Sequence, residues 1–168
     1  MEVTEGLVDS HSHLRSTSLV DQGVGGSCLE ESILRMNAMT GIDLQDDVFL
    51  ACSDLLATGV TGVQYIFHTF GTPEDYLKSL AQVISGITET GIRARIILAI
   101  TDQYEFLPMK IKGSVELPSF VDTGPRISPK EFIDVFCEAQ SRYPDLGLGI
   151  GPVAPQWCSD EMLEAIGD

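Results

Sequence analysis

The sequence predicts an α/β fold built on a parallel sheet, and three observations carry that expectation. Four segments rich in Val, Ile and Leu alternate with segments of helical period, an order that implies parallel strands joined by right-handed crossovers. Apolar runs such as "IILAI" (96–100) show no in-out alternation, as expected of strands covered on both faces. The helix starts are legible as caps: "SCLE" (27–30), "TPED" (72–75) and "SPKE" (128–131) each set a Ser or Thr three residues before an acid, so that side-chain oxygens can satisfy free backbone amides. Two architectures meet these conditions, a doubly wound open sheet or part of a (β/α)8 barrel.

Taken in order, the first strand is expected over Leu7–His11, ending in a polar run. A helix should begin near Ser27 and stop at Gly41. A second follows over about 43–58, where Leu44, Val48, Cys52 and Leu55 recur at helical spacing before Gly59. The second strand is Val60–His68. Over 72–90 the apolar set Tyr76, Leu77, Leu80, Val83, Ile84 and Ile87 marks one buried helix face. Pro73 and Pro129 occupy first helical positions, where a missing N–H costs nothing. Gly91 follows the 72–90 pattern where a left-handed cap is wanted. The third strand is Ile92–Ile100 and the fourth Leu146–Val153, with a helix opening at Ser159. Between strands three and four, segment 101–127 holds three of the chain's eight prolines. It is long for a connection and reads as a lid over the active face.

At 168 residues and 43% hydrophobic content, the chain can bury one core, and 1–168 reads as a single domain. Acids outnumber bases 25 to 10, for a net charge of −15. Such a surface repels phosphate backbones and anionic lipid, which excludes nucleic acid and membrane as partners. The start, "MEVTEG", carries acids where a secretory signal needs lysines. No apolar stretch approaches the roughly 20 residues of a membrane span. A cytoplasmic protein is expected, with Cys28, Cys52, Cys137 and Cys158 as ordinary reduced thiols, since no Cys-x-x-Cys spacing is present. "GVGGSC" (23–28) lacks the third glycine and the lysine of phosphate-binding loops and reads as a plain loop.

Chemistry concentrates at His11 and His13, two of only three histidines. On a strand, side chains at i and i+2 share a face, so these imidazoles can converge on one divalent cation. They sit at the C-terminal end of the first strand, which is where parallel βα folds place their sites. A bare His-x-His more often serves only local hydrogen bonding, and position is what favours a metal here. His68 ends the second strand and can face the same mouth. Asp102 and Tyr104 follow the third strand; Gln156 and Trp157 follow the fourth. A tryptophan there can stack on a heterocycle, or simply anchor its loop. Arg15, just beyond the histidines, can hold a carboxylate or carbonyl, or pair with a surface acid.

"GLVDSHSHL" (6–14) resembles the first-strand signature of the amidohydrolase superfamily. "LLATGVTGV" (55–63) is similar to the junction into that family's second strand, and "TGIRARIILAI" (90–100) to its third strand. "GIGPVAPQWCSDEML" (149–163) is similar to the fourth-strand loop of its cytosine, guanine and chlorohydrolase-like branch. The resemblance runs through nearly the whole chain in the expected order. It implies a partial (β/α)8 barrel of about four βα units, the amino-terminal half of a metal-dependent hydrolase. It also implies a mononuclear centre, zinc with iron as the alternative, on His11 and His13, completed by histidines of strands five and six and an aspartate of strand eight. The implied reaction is attack of metal-activated water on a C–N bond of a small molecule, as in a deaminase, with a glutamate after the fifth strand moving protons. Those later residues lie beyond the four strands here, so no catalytic residue is assigned within this chain. His68, Gln156, Trp157 and Arg15 are its candidate substrate contacts. Val153 stands where many deaminases of that branch carry a histidine in "PHAP", a departure that counts against that branch's purine or pyrimidine specificity. The alternative is a non-catalytic half-barrel that covers its edges by homo-oligomerisation or with a partner chain.

Overall fold

The computed structural model describes residues 5–14, 43–103 and 127–167. Within them lie strands β1 (Leu7–Ser12), β2 (Val60–His68), β3 (Arg93–Ile100) and β4 (Gly147–Pro152). The helices are α1 (Leu44–Ala57), α2 (Pro73–Thr90), α3 (Pro129–Arg142) and α4 (Asp160–Gly167), with a single 3₁₀ turn over Pro155–Trp157. The expected helix from Ser27 to Gly41, the "GVGGSC" loop, Arg15, Tyr104 and most of the expected lid fall outside the described residues.

Local chemistry sets the helix ends. Asp43 caps α1, its carboxylate accepting from the amides of Gln45 and Asp46. Thr72 and Ser128 each form a reciprocal capping box, with Asp75 and Glu131 respectively, and Pro73 and Pro129 follow as the first helical residues. At the far end of α2, Gly91 takes a left-handed conformation with φ of 73°, which a side chain would disfavour.

All strand pairs are parallel and the sheet order is β1-β2-β3-β4, with sequence neighbours adjacent throughout. α1 packs on α2, α2 on α3, and α3 on α4. Consecutive helices can touch in this way only if they share one face of the sheet. Register then sorts the side chains. Tyr65 pairs with Ile96, Phe67 with Leu98, and Leu98 with Ile150, so these form rows on the helix-facing side, where Val63, Tyr65, Phe67, Ile96, Leu98 and Ile100 join one buried cluster with Leu80, Val83, Phe132 and Met162.

Tyr76 of α2 stands at the centre of that layer. Its ring meets Phe67 edge-on at 5.1 Å and Phe132 at 5.9 Å. It is fully buried, and its hydroxyl donates toward the carbonyls of Phe67 (3.2 Å) and Ala99 (2.9 Å), joining the C-terminal ends of β2 and β3. Burial keeps this phenol protonated by raising its pKa well above the usual value.

The opposite face carries Gly62, Gln64, Ile66 and His68 of β2, then Ile97 of β3 and Gly149 of β4. Here Ile97 spreads over Gly149, where an added Cβ would lie 2.6 Å from its Cδ1. On the edge strand β1, Leu7 and Val8 are 62% and 68% exposed.

α1 and α2 approach each other closely at Gly86. A Cβ added to Gly86 would lie 2.6 Å from the Gln45 carbonyl oxygen and 3.1 Å from the Phe49 amide. Gly86→Ala is expected to destabilise the fold by about 1–3 kcal/mol through overpacking, outweighing the roughly 1 kcal/mol by which alanine surpasses glycine inside a helix. Urea denaturation followed by circular dichroism measures the difference, and an unchanged or raised midpoint would contradict backbone contact at this crossing.

Candidate functional site

Parallel pairing brings every strand's C-terminal end to one edge of the sheet, so the exits of β1 to β4 form a common rim. The exit of β1 is distorted on both sides of its histidines. Asp9 pairs with Val63 but Ser12 with Tyr65, so three steps on β1 match two on β2. A bulge of this kind bends a strand and re-aims its side chains. Asp9 supports the bend, its carboxylate accepting from the His11 amide at 3.0 Å. Gln64 donates from its side chain to the Ser10 carbonyl at 3.1 Å. Immediately after His13, the buried Leu14 has φ of 36°, the one non-glycine residue at positive φ among those described. Its amide donates to Ser12 Oγ at 3.3 Å. A leucine held in this region costs of order 1–3 kcal/mol and persists only where its surroundings enforce it.

Because Ser12 pairs within the helix-facing row of Tyr65, its neighbour His11 within β1 turns to the opposite face, the side of Gln64, Ile66 and His68, and His13, the first residue past β1, sets its ring beside that of His11. Their rings lie 5.1 Å apart, centroid to centroid, at 76°. Both are exposed. Two imidazoles so placed can reach one ion and supply two of its ligands. Among the described residues, no cluster of three or more His, Cys, Asp or Glu side chains is arranged to hold a metal.

His68 ends β2 on the same face and packs edge-on against Phe70 at 4.7 Å. Burial pushes its pKa down to about 4, with nearby His13 adding to the shift, so the ring is neutral at physiological pH. The strand three and four exits are joined to each other. Asp102 and Gln103 donate their amides to the Trp157 carbonyl at 3.2 and 3.1 Å. The Asp102 carboxylate accepts from the Ser159 amide at 2.7 Å and from the Ser159 hydroxyl. Trp157 is only 7% exposed and anchors the turn, while Gln156 beside it is exposed at the rim. Cys158 is buried beneath them, its thiol donating to the Ile100 carbonyl at 3.4 Å and its pKa raised to about 11 by burial and then by Asp102. It is an unreactive structural thiol.

The structure therefore brings His11, His13 and His68 to one face of the rim, places Gln156 on the same edge, and packs Trp157 within the loop. The Asp102–Ser159 connection spans 57 positions and has no sequence signal beyond an acid after a strand and a cap residue before a helix. The Leu14 conformation has none, since leucine is a poor candidate for positive φ.

No protein-family profile and no curated protein matches the chain. Among solved structures, a GDP-L-fucose synthetase from Naegleria fowleri is similar at 11% identity, over 91% of this chain and 51% of that one, with a TM-score of 0.30. This chain thus spans about half the length of that protein. A likeness so distant carries no argument about fold or function. Within the described residues, no helix is long and apolar enough to cross a membrane.

The depressed pKa of His68 links stability to pH. Between the unfolded value of 6.5 and about 4, the unfolded chain binds a proton here that the folded protein does not. His68 is thus expected to lower stability progressively as pH falls from 6.5 toward 4, and His68→Gln should remove that component. Its imidazole resonances should stay those of the neutral ring at pH 5 in an NMR titration. Half-protonation near pH 6.5 would contradict its burial.

Proposed function

We propose that this chain is the amino-terminal half of an amidohydrolase-type, metal-dependent hydrolase that cleaves a C–N bond in a small molecule. The observation that carries the reading is the pairing of the His11 and His13 rings, 5.1 Å apart centroid to centroid, at the C-terminal end of β1. The barrel architecture draws support from the order β1-β2-β3-β4 and from helices stacked in sequence on one face. A doubly wound sheet reverses its strand order and divides its helices between two faces. An arc of a barrel does neither.

On this reading His11 and His13 hold a divalent ion, zinc or iron, with the remaining ligands supplied by later strands. Bound there with the later ligands, such an ion would supply Lewis acidity and lower the pKa of water toward neutrality, the chemistry that hydrolysis of an amidine or amide-like C–N bond needs. The chain's own residues do the rest of the work assigned to this half. Asp9 and Leu14 fix the backbone on either side of the imidazoles. His68, neutral and half-buried beside them, offers the substrate a hydrogen-bonding nitrogen without adding charge near the cation. Gln156 presents an amide donor and acceptor from the strand-four exit, and Trp157 holds that exit in place. Arg15 would contribute a cationic contact to a substrate carbonyl or carboxylate. The partner is a small molecule, which suits a net charge of −15 better than any polyanion.

A polypeptide extended past Asp168 through strands bearing the His-x-x-Glu, His and Asp ligands is expected to release ammonia from a panel of cyclic amidines and amides when loaded with zinc. His11→Ala or His13→Ala should each lower that rate by at least about a hundredfold, since even outer-shell changes at metal sites cost 10–100-fold. Retained activity in both variants would contradict the assignment, as would a reading frame that stops at Asp168 with no partner chain carrying the missing ligands.

A further inference from the structure

We propose that Asp102 is a positioning residue, a clamp that fixes the strand-four exit and thereby sets Gln156 at the substrate-facing rim. The inference rests on the reading of that rim as a substrate site.

Two polar attachments converge on this carboxylate. One oxygen accepts from the Ser159 amide at 2.7 Å and the other from the Ser159 hydroxyl. The Ser159 hydroxyl oxygen in turn accepts from the Met162 amide at 3.1 Å, capping α4. Main-chain bonds flank the clamp: Asp102 and Gln103 donate to Trp157, and Val153 donates to Ile100 at 2.9 Å. The segment from Val153 to Ser159 is thus tied to the β3 exit at both ends, with Gln156 exposed between the ties. A two-point bond from a charged acceptor fixes orientation as well as distance and is about twice as strong as a neutral one. Neither Asp102 nor Ser159 belongs to the buried apolar cluster between sheet and helices. What their bond adds is a defined place for a loop on the rim, and a binding residue on a loop needs such support to be held accurately.

Trp157 is the chain's single tryptophan, so its fluorescence reports this loop alone. In the 168-residue protein, Asp102→Ala should shift Trp157 emission to longer wavelength and raise its quenching by acrylamide. Amide exchange at Ser159 and Met162 should speed by at least about tenfold, the effect of losing a charge-assisted bond on local opening. Exchange in β2 and β3 should not change. Asp102→Asn, which still accepts from the Ser159 amide and can donate to its hydroxyl, should restore most of the parent's behaviour. In the polypeptide extended past Asp168, zinc affinity read by titration with zinc chloride should stay within about twofold of the parent in both variants, because the clamp touches neither His11 nor His13. An unmoved Trp157 in Asp102→Ala overturns the clamp. Faster exchange throughout the sheet also overturns it, by making Asp102 a general structural residue. Zinc binding that does not depend on His11 and His13 in the polypeptide extended past Asp168 overturns the rim reading, and with it the role the clamp serves.

Discussion

The pairing of β1 against β2 is the constraint from which the rest of the site follows. β2 has no freedom in its orientation, because Val63, Tyr65 and Phe67 must enter the helix layer. β1 inherits its facing from that register. Since side chains alternate along a strand, a slip of one residue would send His11 into the apolar layer and bring Ser12 to the open face. The bulge between Asp9 and Ser12 and the left-handed Leu14 sit on either side of this choice. Together they confine the two imidazoles to a short stretch of irregular backbone.

Energetics divide the sheet into unequal sides. The helix-facing side buries large apolar groups at close packing, with Tyr76, Phe67 and Phe132 among the largest wholly buried side chains. Each is worth roughly 1.5–3 kcal/mol relative to exposure, and more where truncation leaves a cavity. The other side is sparsely filled, with glycines on β4, half-buried Ile66 and Ile97, and polar Gln64 and His68. Stability resides in the first layer and chemistry in the second. Tyr76 couples them, its hydroxyl reaching from the helix layer to the Phe67 carbonyl, one peptide before His68.

What could be read from the residues is what short-range chemistry decides. Thr72 with Asp75, Ser128 with Glu131, and Gly91 determine helix ends through contacts a few positions apart, and they fall where the cap patterns placed them. β2 matches its expected span, Val60–His68, because a long apolar run bounded by Gly59 and Gly71 leaves little latitude. The closeness of the His11 and His13 rings is what their i, i+2 spacing allows. The β1 bulge was not legible, since it depends on how another strand's register is met. Nor was the Asp102–Ser159 bond, which needs the tertiary fold to bring together residues from separate strand exits. Trp157 illustrates the same limit: one residue type suits both a ring-stacking platform and a loop anchor, and only packing, which leaves it 7% exposed, distinguishes them.

The account stands on a shared ligand role for His11 and His13, and X-ray absorption at the zinc edge tests it most directly. In the polypeptide extended past Asp168 and loaded with one zinc per chain, the shell of imidazole nitrogens at about 2.0–2.1 Å should lose one member in either single His→Ala variant. A zinc environment without imidazole scattering, or one unchanged by both substitutions, would contradict it.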